Sequence, residues 1–152
     1  VIVDGVRQRT LGHGGSSVLL EYERSVRRLL DAGKTVVLVY PIPEVGYNVP
    51  RMLGRRKILG SESQLTTSYD AYLARNEKVI RLFDALGKHS SLIRVRPDSV
   101  LCNSTIKNRC ITVSNDRILY NDDHHLSNSG AQVVFDGIFS GLIPKLTNLP
   151  KT

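Results

Sequence analysis

The chain has 152 residues, 41% of them hydrophobic and 23% charged, with a net charge of +7. That length fits one domain able to bury roughly two-thirds of its unfolded surface, and the composition argues against a disordered or fibrous chain. No apolar run approaches the roughly 20 residues of a membrane-spanning helix.

Val1-Ile2-Val3 is apolar and β-prone and runs into Asp4-Gly5, so the chain opens at the end of a buried strand. Val1 is not a methionine, and no basic segment with an apolar core precedes that strand. We therefore expect a piece of a longer polypeptide. The glycine-rich stretch Gly12-His13-Gly14-Gly15-Ser16-Ser17 lacks the Gly-x-Ser-x-Gly of a nucleophile elbow. Ser16 or Ser17 is expected to cap the next helix, with His13 in an exposed loop.

Leu19, Tyr22, Val26, Leu29 and Leu30 recur at helical spacing through Asp31, with Glu and Arg residues mostly on the other face. Gly33 ends this amphipathic helix. Val36-Val37-Leu38-Val39-Tyr40 reads as a strand covered on both faces, stopped by Pro41 and Pro43. Helix, glycine turn and buried strand make up the repeating part of a βαβ unit.

Residues 44–60, with Gly46, Pro50 and Gly54, have little periodicity and read as a long surface excursion at the carboxyl end of that strand, the edge where open α/β sheets bind ligands. The dense basic run Arg51, Arg55, Arg56 and Lys57 falls here. Without interleaved aromatics for base stacking it reads as a solvated loop, so nucleic acid is not an expected partner. An anionic polysaccharide or acidic lipid surface would be drawn by the same Coulomb attraction.

A second long helix is expected from Ser61-Glu62 to Gly87, its buried stripe including Leu65, Tyr69, Tyr72, Val79 and Phe83. Ser91 to Val95 reads as a third strand. Cys102 and Cys110 follow in a polar, turn-rich segment. Their even count and short spacing suit a disulfide in an oxidising compartment, the alternative being two reduced thiols; two cysteines cannot build a tetrahedral zinc site. Ile118-Leu119-Tyr120 then approaches the chemistry-bearing segment.

That segment, Asn121-Asp122-Asp123-His124-His125-Leu126-Ser127, places carboxylates and imidazoles side by side ahead of a helix expected to run through Ala131 to Leu142, with Ser127 as its N-cap. Asp122-x-x-His125 offers a general base whose tautomer a carboxylate fixes. The bland alternative is turn and capping chemistry, for which Asp and Asn are well suited.

The string Tyr120-x-Asp122-Asp123-x-His125-Leu126-Ser127-x-x-Gly130-Ala131 resembles the last motif of the SGNH hydrolases, most closely the SGNH domains fused to membrane acyltransferases of the acyltransferase-3 family. Pro41-Ile42-Pro43 and Leu101-Cys102 before a second Cys follow the family's order. The resemblance is loose over most of the chain and close over residues 101–131. It implies an α/β fold, three-layer α/β/α and flavodoxin-like, with a mainly parallel sheet. It also implies a catalytic pair of His125 as base and Asp122 as its orienting acid, acting on a serine in a Gly-Asp-Ser motif near the domain's start.

No Gly-Asp-Ser occurs in the chain. The family's Gly-x-Asn-Asp oxyanion motif is absent as well, since Ser114-Asn115-Asp116 has Val113 where glycine is needed. We therefore expect residues 1–152 to be one domain, the carboxyl-terminal portion of an SGNH domain whose nucleophile-bearing part lies elsewhere, and inactive alone. The function implied is a serine-dependent esterase or O-acyltransferase acting on cell-envelope polysaccharide, with no cofactor and no metal. Its partners would be an acylated or acceptor glycan and an upstream membrane acyltransferase domain in the same chain. Its place would be the periplasmic or extracellular face, tethered to the inner membrane. A non-catalytic α/β binding domain that has lost the nucleophile is the competing reading. A metal site from Asp122, Asp123, His124 and His125 is disfavoured because adjacent residues rarely converge on one ion.

Overall fold

The computed structural model describes residues 1–3, 15–61 and 64–141. Expectations for Asp4-Gly5, His13, the helix start at Glu62 and the helix end at Leu142 lie outside these residues. The elements in order are β1 (Ile2–Val3), α1 (Gly15–Asp31), β2 (Val36–Val39), α2 (Val49–Ile58), β3 (Thr66–Ser68), α3 (Tyr69–Ala85), β4 (Leu92–Val95), α4 (Asp98–Leu101), β5 (Arg109–Ile111), β6 (Val113–Ser114), β7 (Arg117–Ile118) and α5 (Asn128–Ile138). The described residues fall into two compact units, one drawn from the ranges 1–42 and 70–97, the other from the rest.

The first unit is built on a parallel sheet of order β1-β2-β4, with Val37 opposite both Ile2 and Ile93. Val36, Leu38 and Tyr40 point to one face because strand side chains alternate. Val26 and Leu30 of α1 and Val79 and Phe83 of α3 bury that face. The Phe83 ring stacks on Tyr22 and meets Tyr40 edge-on. Burial and the Asp84 carboxylate, which accepts the Tyr40 hydroxyl at 2.7 Å, push the Tyr40 pKa up to about 12. Helix α1 stops where expected: Gly33 takes φ +70°, a backbone region open to glycine, and Lys34 N–H reaches back to Leu29 O at 3.0 Å. Its start differs from expectation, since Ser16 and Ser17 lie inside the helix rather than before it.

The second unit departs most from the sequence reading. The excursion of residues 44–60 contains a true helix, α2, whose N-cap Asn48 accepts Arg51 N–H at 2.9 Å and whose Pro50 sits in the first turn, where a missing N–H is harmless. The basic run is therefore helical, not a loop. The long helix expected from Ser61 begins instead at Tyr69. Thr66, Thr67 and Ser68 form β3, paired antiparallel to β5 as Thr66 with Ile111 and Thr67 with Cys110. Arg109 fixes this pairing by donating from Nε to Thr66 Oγ1 at 2.8 Å and from its terminal nitrogen to Thr66 O at 2.7 Å. Asn115 and Asp116, with φ of 48° and 58°, make the two-residue turn joining β6 to β7. Asn and Asp tolerate that geometry, so they act here as hairpin residues.

Cys102, just after α4, and Cys110, within β5, are bridged and buried. A disulfide restricts the unfolded chain, so we expect Cys102→Ser/Cys110→Ser to lower unfolding free energy by roughly 2 to 3 kcal/mol. Urea midpoints of oxidised and variant protein check this; coincident curves would contradict it.

Candidate active site

The Asp-His segment lies in the second unit, held at both ends by backbone hydrogen bonds. Tyr120, almost wholly buried, donates its hydroxyl to Pro43 O at 2.8 Å. Leu119 O accepts Ser127 N–H at 2.9 Å, and His125 O accepts Asn121 N–H at 2.8 Å, closing the intervening residues into a short loop. The Ser127 hydroxyl works in both directions, donating to Ile118 O at 2.6 Å and accepting Gly130 N–H at 3.1 Å as the N-cap of α5. That is the role the sequence assigned to Ser127.

Gly130 follows from the same packing. A Cβ built there would stand 2.0 Å from Leu119 O, the carbonyl that anchors Ser127. The first turn of α5 thus lies directly against the strand-like approach to the site, and only glycine fits. Gly130→Ala is expected to destabilise the protein by about 3 kcal/mol, at the upper end for overpacking because a backbone atom must move. A thermal melt reads this as a fall of several degrees; an unchanged midpoint would refute the packing argument.

Within the loop, Asp122 is the most constrained side chain. Its Oδ1 accepts His124 N–H at 2.8 Å and His125 N–H at 2.7 Å, and its Oδ2 meets His125 Nδ1 at 2.6 Å. These bonds favour the ionised carboxylate. The His125 ring first, then the two backbone N–H groups, hold Asp122 well below the usual carboxylate range. An ionised carboxylate only accepts, so in the neutral ring the His125 proton sits on Nδ1 and Nε2 carries the lone pair. Among the described residues nothing bonds His125 Nε2, and the side chain is 59% exposed.

The neighbouring residues form a second pair: His124 Nδ1 lies 2.6 Å from Asp123 Oδ1, its side chain is only 20% exposed, and its ring centroid is 3.9 Å from that of His125. The His124 ring lowers the Asp123 pKa in turn. Asp122, His124 and His125 offer ligand atoms within 4.8 Å of one another. The carboxylates facing both Nδ1 atoms account for that clustering without an ion.

Sequence reading missed what lies beneath this loop. Val45 N–H donates to Asp123 O at 2.8 Å and Val49 N–H to Asp122 O at 3.2 Å. The segment entering α2 therefore carries the backbone of both aspartates. No side-chain pattern could have signalled main-chain pairing across so long a separation.

A parallel sheet, and an Asp-x-x-His pair just ahead of a capped helix, are each features that SGNH-type domains also carry. A family model described as "SGNH domain (fused to AT3 domains)" matches residues 4–138, and the chain belongs to that family. Among solved structures, the periplasmic domain of a lipopolysaccharide acetyltransferase from Salmonella ser. Paratyphi A has the same fold, with a TM-score of 0.65 at 17% identity. The match takes in 94% of this chain and 56% of that one, so this chain spans little more than half the neighbour's length. No curated protein matches the chain. Among the described residues, no helix is long and apolar enough to cross a membrane.

Proposed function

We propose that the chain is part of a serine-dependent esterase or O-acyltransferase domain acting on cell-envelope polysaccharide, with His125 as general base and Asp122 as its orienting acid. The observation that carries this reading is the His125 ring, held at Nδ1 by a carboxylate itself fixed by backbone N–H groups, with Nε2 unpartnered among the described residues. Nε2 would take the serine hydroxyl proton as that oxygen attacks the acyl carbonyl carbon, and would return the proton to the departing alcohol. Water or a sugar hydroxyl then attacks the acyl-enzyme, giving its proton to His125, which passes it to the serine oxygen as the acyl–serine bond breaks. Asp122 stabilises the imidazolium in each half-reaction without itself taking the proton.

This reading places the serine in polypeptide outside residues 1–152, which contain no Gly-Asp-Ser. It makes this stretch inactive alone, since a base without nucleophile and oxyanion donors retains little of the rate enhancement. The family's fusion to AT3 domains supports a membrane acyltransferase domain in the same polypeptide. The disulfide and the periplasmic neighbour support the periplasmic side of the inner membrane. The same neighbour's lipopolysaccharide supports an envelope glycan as substrate.

A serine-directed fluorophosphonate tests the proposal. The full-length protein should be labelled on one serine, in a peptide outside residues 1–152, and residues 1–152 alone should not be labelled. Absence of any labelled serine in the full-length protein would favour a binding domain instead.

A further inference from the structure

Helix α2 puts positive charge where its own backbone disfavours it. Its first turn has no acidic residue and instead carries Arg51, at the positive end of the helix dipole. Arg55 follows one turn later on the same side, and like charges at that spacing repel. Among the described residues neither guanidinium meets a carboxylate, in contrast to Arg24, Arg27 and Arg81, each of which pairs with a glutamate on its own helix. Arg51 and Arg55 line a cavity of 510 Å³ together with Tyr47, Asn48 and Met52. Tyr47 is fixed there by its hydroxyl, which donates to Thr66 O at 3.1 Å. The segment that carries Tyr47 and Asn48 is bonded to the Asp-His loop through its main chain, because Val45 and Val49, on either side of those two residues, donate to Asp123 O and Asp122 O.

We propose that this cavity is a subsite for an oxyanion, a carboxylate or phosphate, carried by the saccharide on which the Asp-His site acts. The inference rests on the glycan reading above and adds to it the charge of the substrate. Two guanidiniums one helical turn apart can each offer paired N–H donors to such a group, and the neighbouring dipole end strengthens the attraction. An anion there would also relieve the repulsion between Arg51 and Arg55. A phosphate on a lipid headgroup has the same chemistry. The exposed Ile58 and Leu59 at the far end of α2, which do not line the cavity, would be the natural contact for a bilayer.

Calorimetric titration of the chain with tetragalacturonate, its methyl ester and phosphatidylglycerol vesicles separates these sources. The acidic oligosaccharide should bind at least about tenfold more tightly than the ester, and Arg51→Gln/Arg55→Gln should remove about tenfold or more of that affinity. Lys57→Gln, off the cavity, should change it by less than about twofold. Equal binding of acid and ester, equal binding by the double variant, or binding to vesicles alone would overturn the proposal. Should the double variant melt early, amide shifts on titrating the unaltered chain decide: shifts centred on Tyr47 to Arg55 support the subsite, and shifts centred elsewhere overturn it. Fluorophosphonate labelling of the full-length protein reads the acyl-transfer reading independently of this titration, so failure of that reading and failure of the subsite are told apart.

Discussion

His125→Ala should lower turnover of the complete enzyme by roughly four to six orders of magnitude, the size of loss seen when a triad base is removed. The ring is half-exposed, and its carboxylate partner keeps the backbone N–H bonds of residues 124 and 125, so folding should be little affected. His124→Ala is the control. Its ring lies against His125 and has a carboxylate of its own, so it resembles a second base in composition. In the proposed reading it helps hold the His125 ring plane, and its loss should change turnover by less than about tenfold. Equal losses in the two variants, with both folded, would mean the roles are assigned to the wrong histidine.

Asp122→Asn should be impaired by roughly four orders of magnitude, somewhat less than His125→Ala. The reason is visible in the bonding. Asparagine can keep its oxygen on the N–H groups of His124 and His125, which leaves its NH₂ facing His125 Nδ1. Nδ1 must then accept, the proton moves to Nε2, and the ring presents a donor where the serine needs an acceptor. The same substitution carries a pH signature. Because Asp122 is held below the usual carboxylate range when folded, its contribution to stability is present above the unfolded value, near about pH 4. It is lost as pH falls below that toward the folded value. The gap in melting temperature between the unaltered protein and Asp122→Asn should therefore stay constant from neutrality to about pH 5 and narrow below about pH 4. A gap that closed already between pH 7 and 5 would contradict the geometry.

The elements legible in the sequence are those whose signal is local. Val36 to Val39 is a β-branched run that reads as a buried strand on its own, and Ser127 announces a helix by its place before an apolar stretch. Helix α2 was lost because it has no apolar stripe: only Val49 is buried, and Pro50 and Gly54 looked like breakers. The Asn48-x-Pro50 start was the available clue. Strand β3 was absorbed into a helix because Leu65, Tyr69 and Tyr72 keep helical spacing across it, while its partner β5 lies some forty residues away. The Asp122–His125 contact was legible from spacing and family likeness. The second pair, Asp123 with His124, was not, because side chains on adjacent residues meet only when the loop backbone turns them together, and that turn is set by the bonds to Asp122 Oδ1 and to the α2 entry segment.

His125 can serve as the base only with its proton on Nδ1, and ¹⁵N-resolved imidazole NMR measures which nitrogen carries it on the chain itself, without the nucleophile. With the ring neutral, His125 should show a protonated Nδ1 and a bare Nε2, and Asp122→Asn should reverse the two. A neutral His125 protonated on Nε2 in the unaltered chain, or one exchanging freely between tautomers, would contradict it.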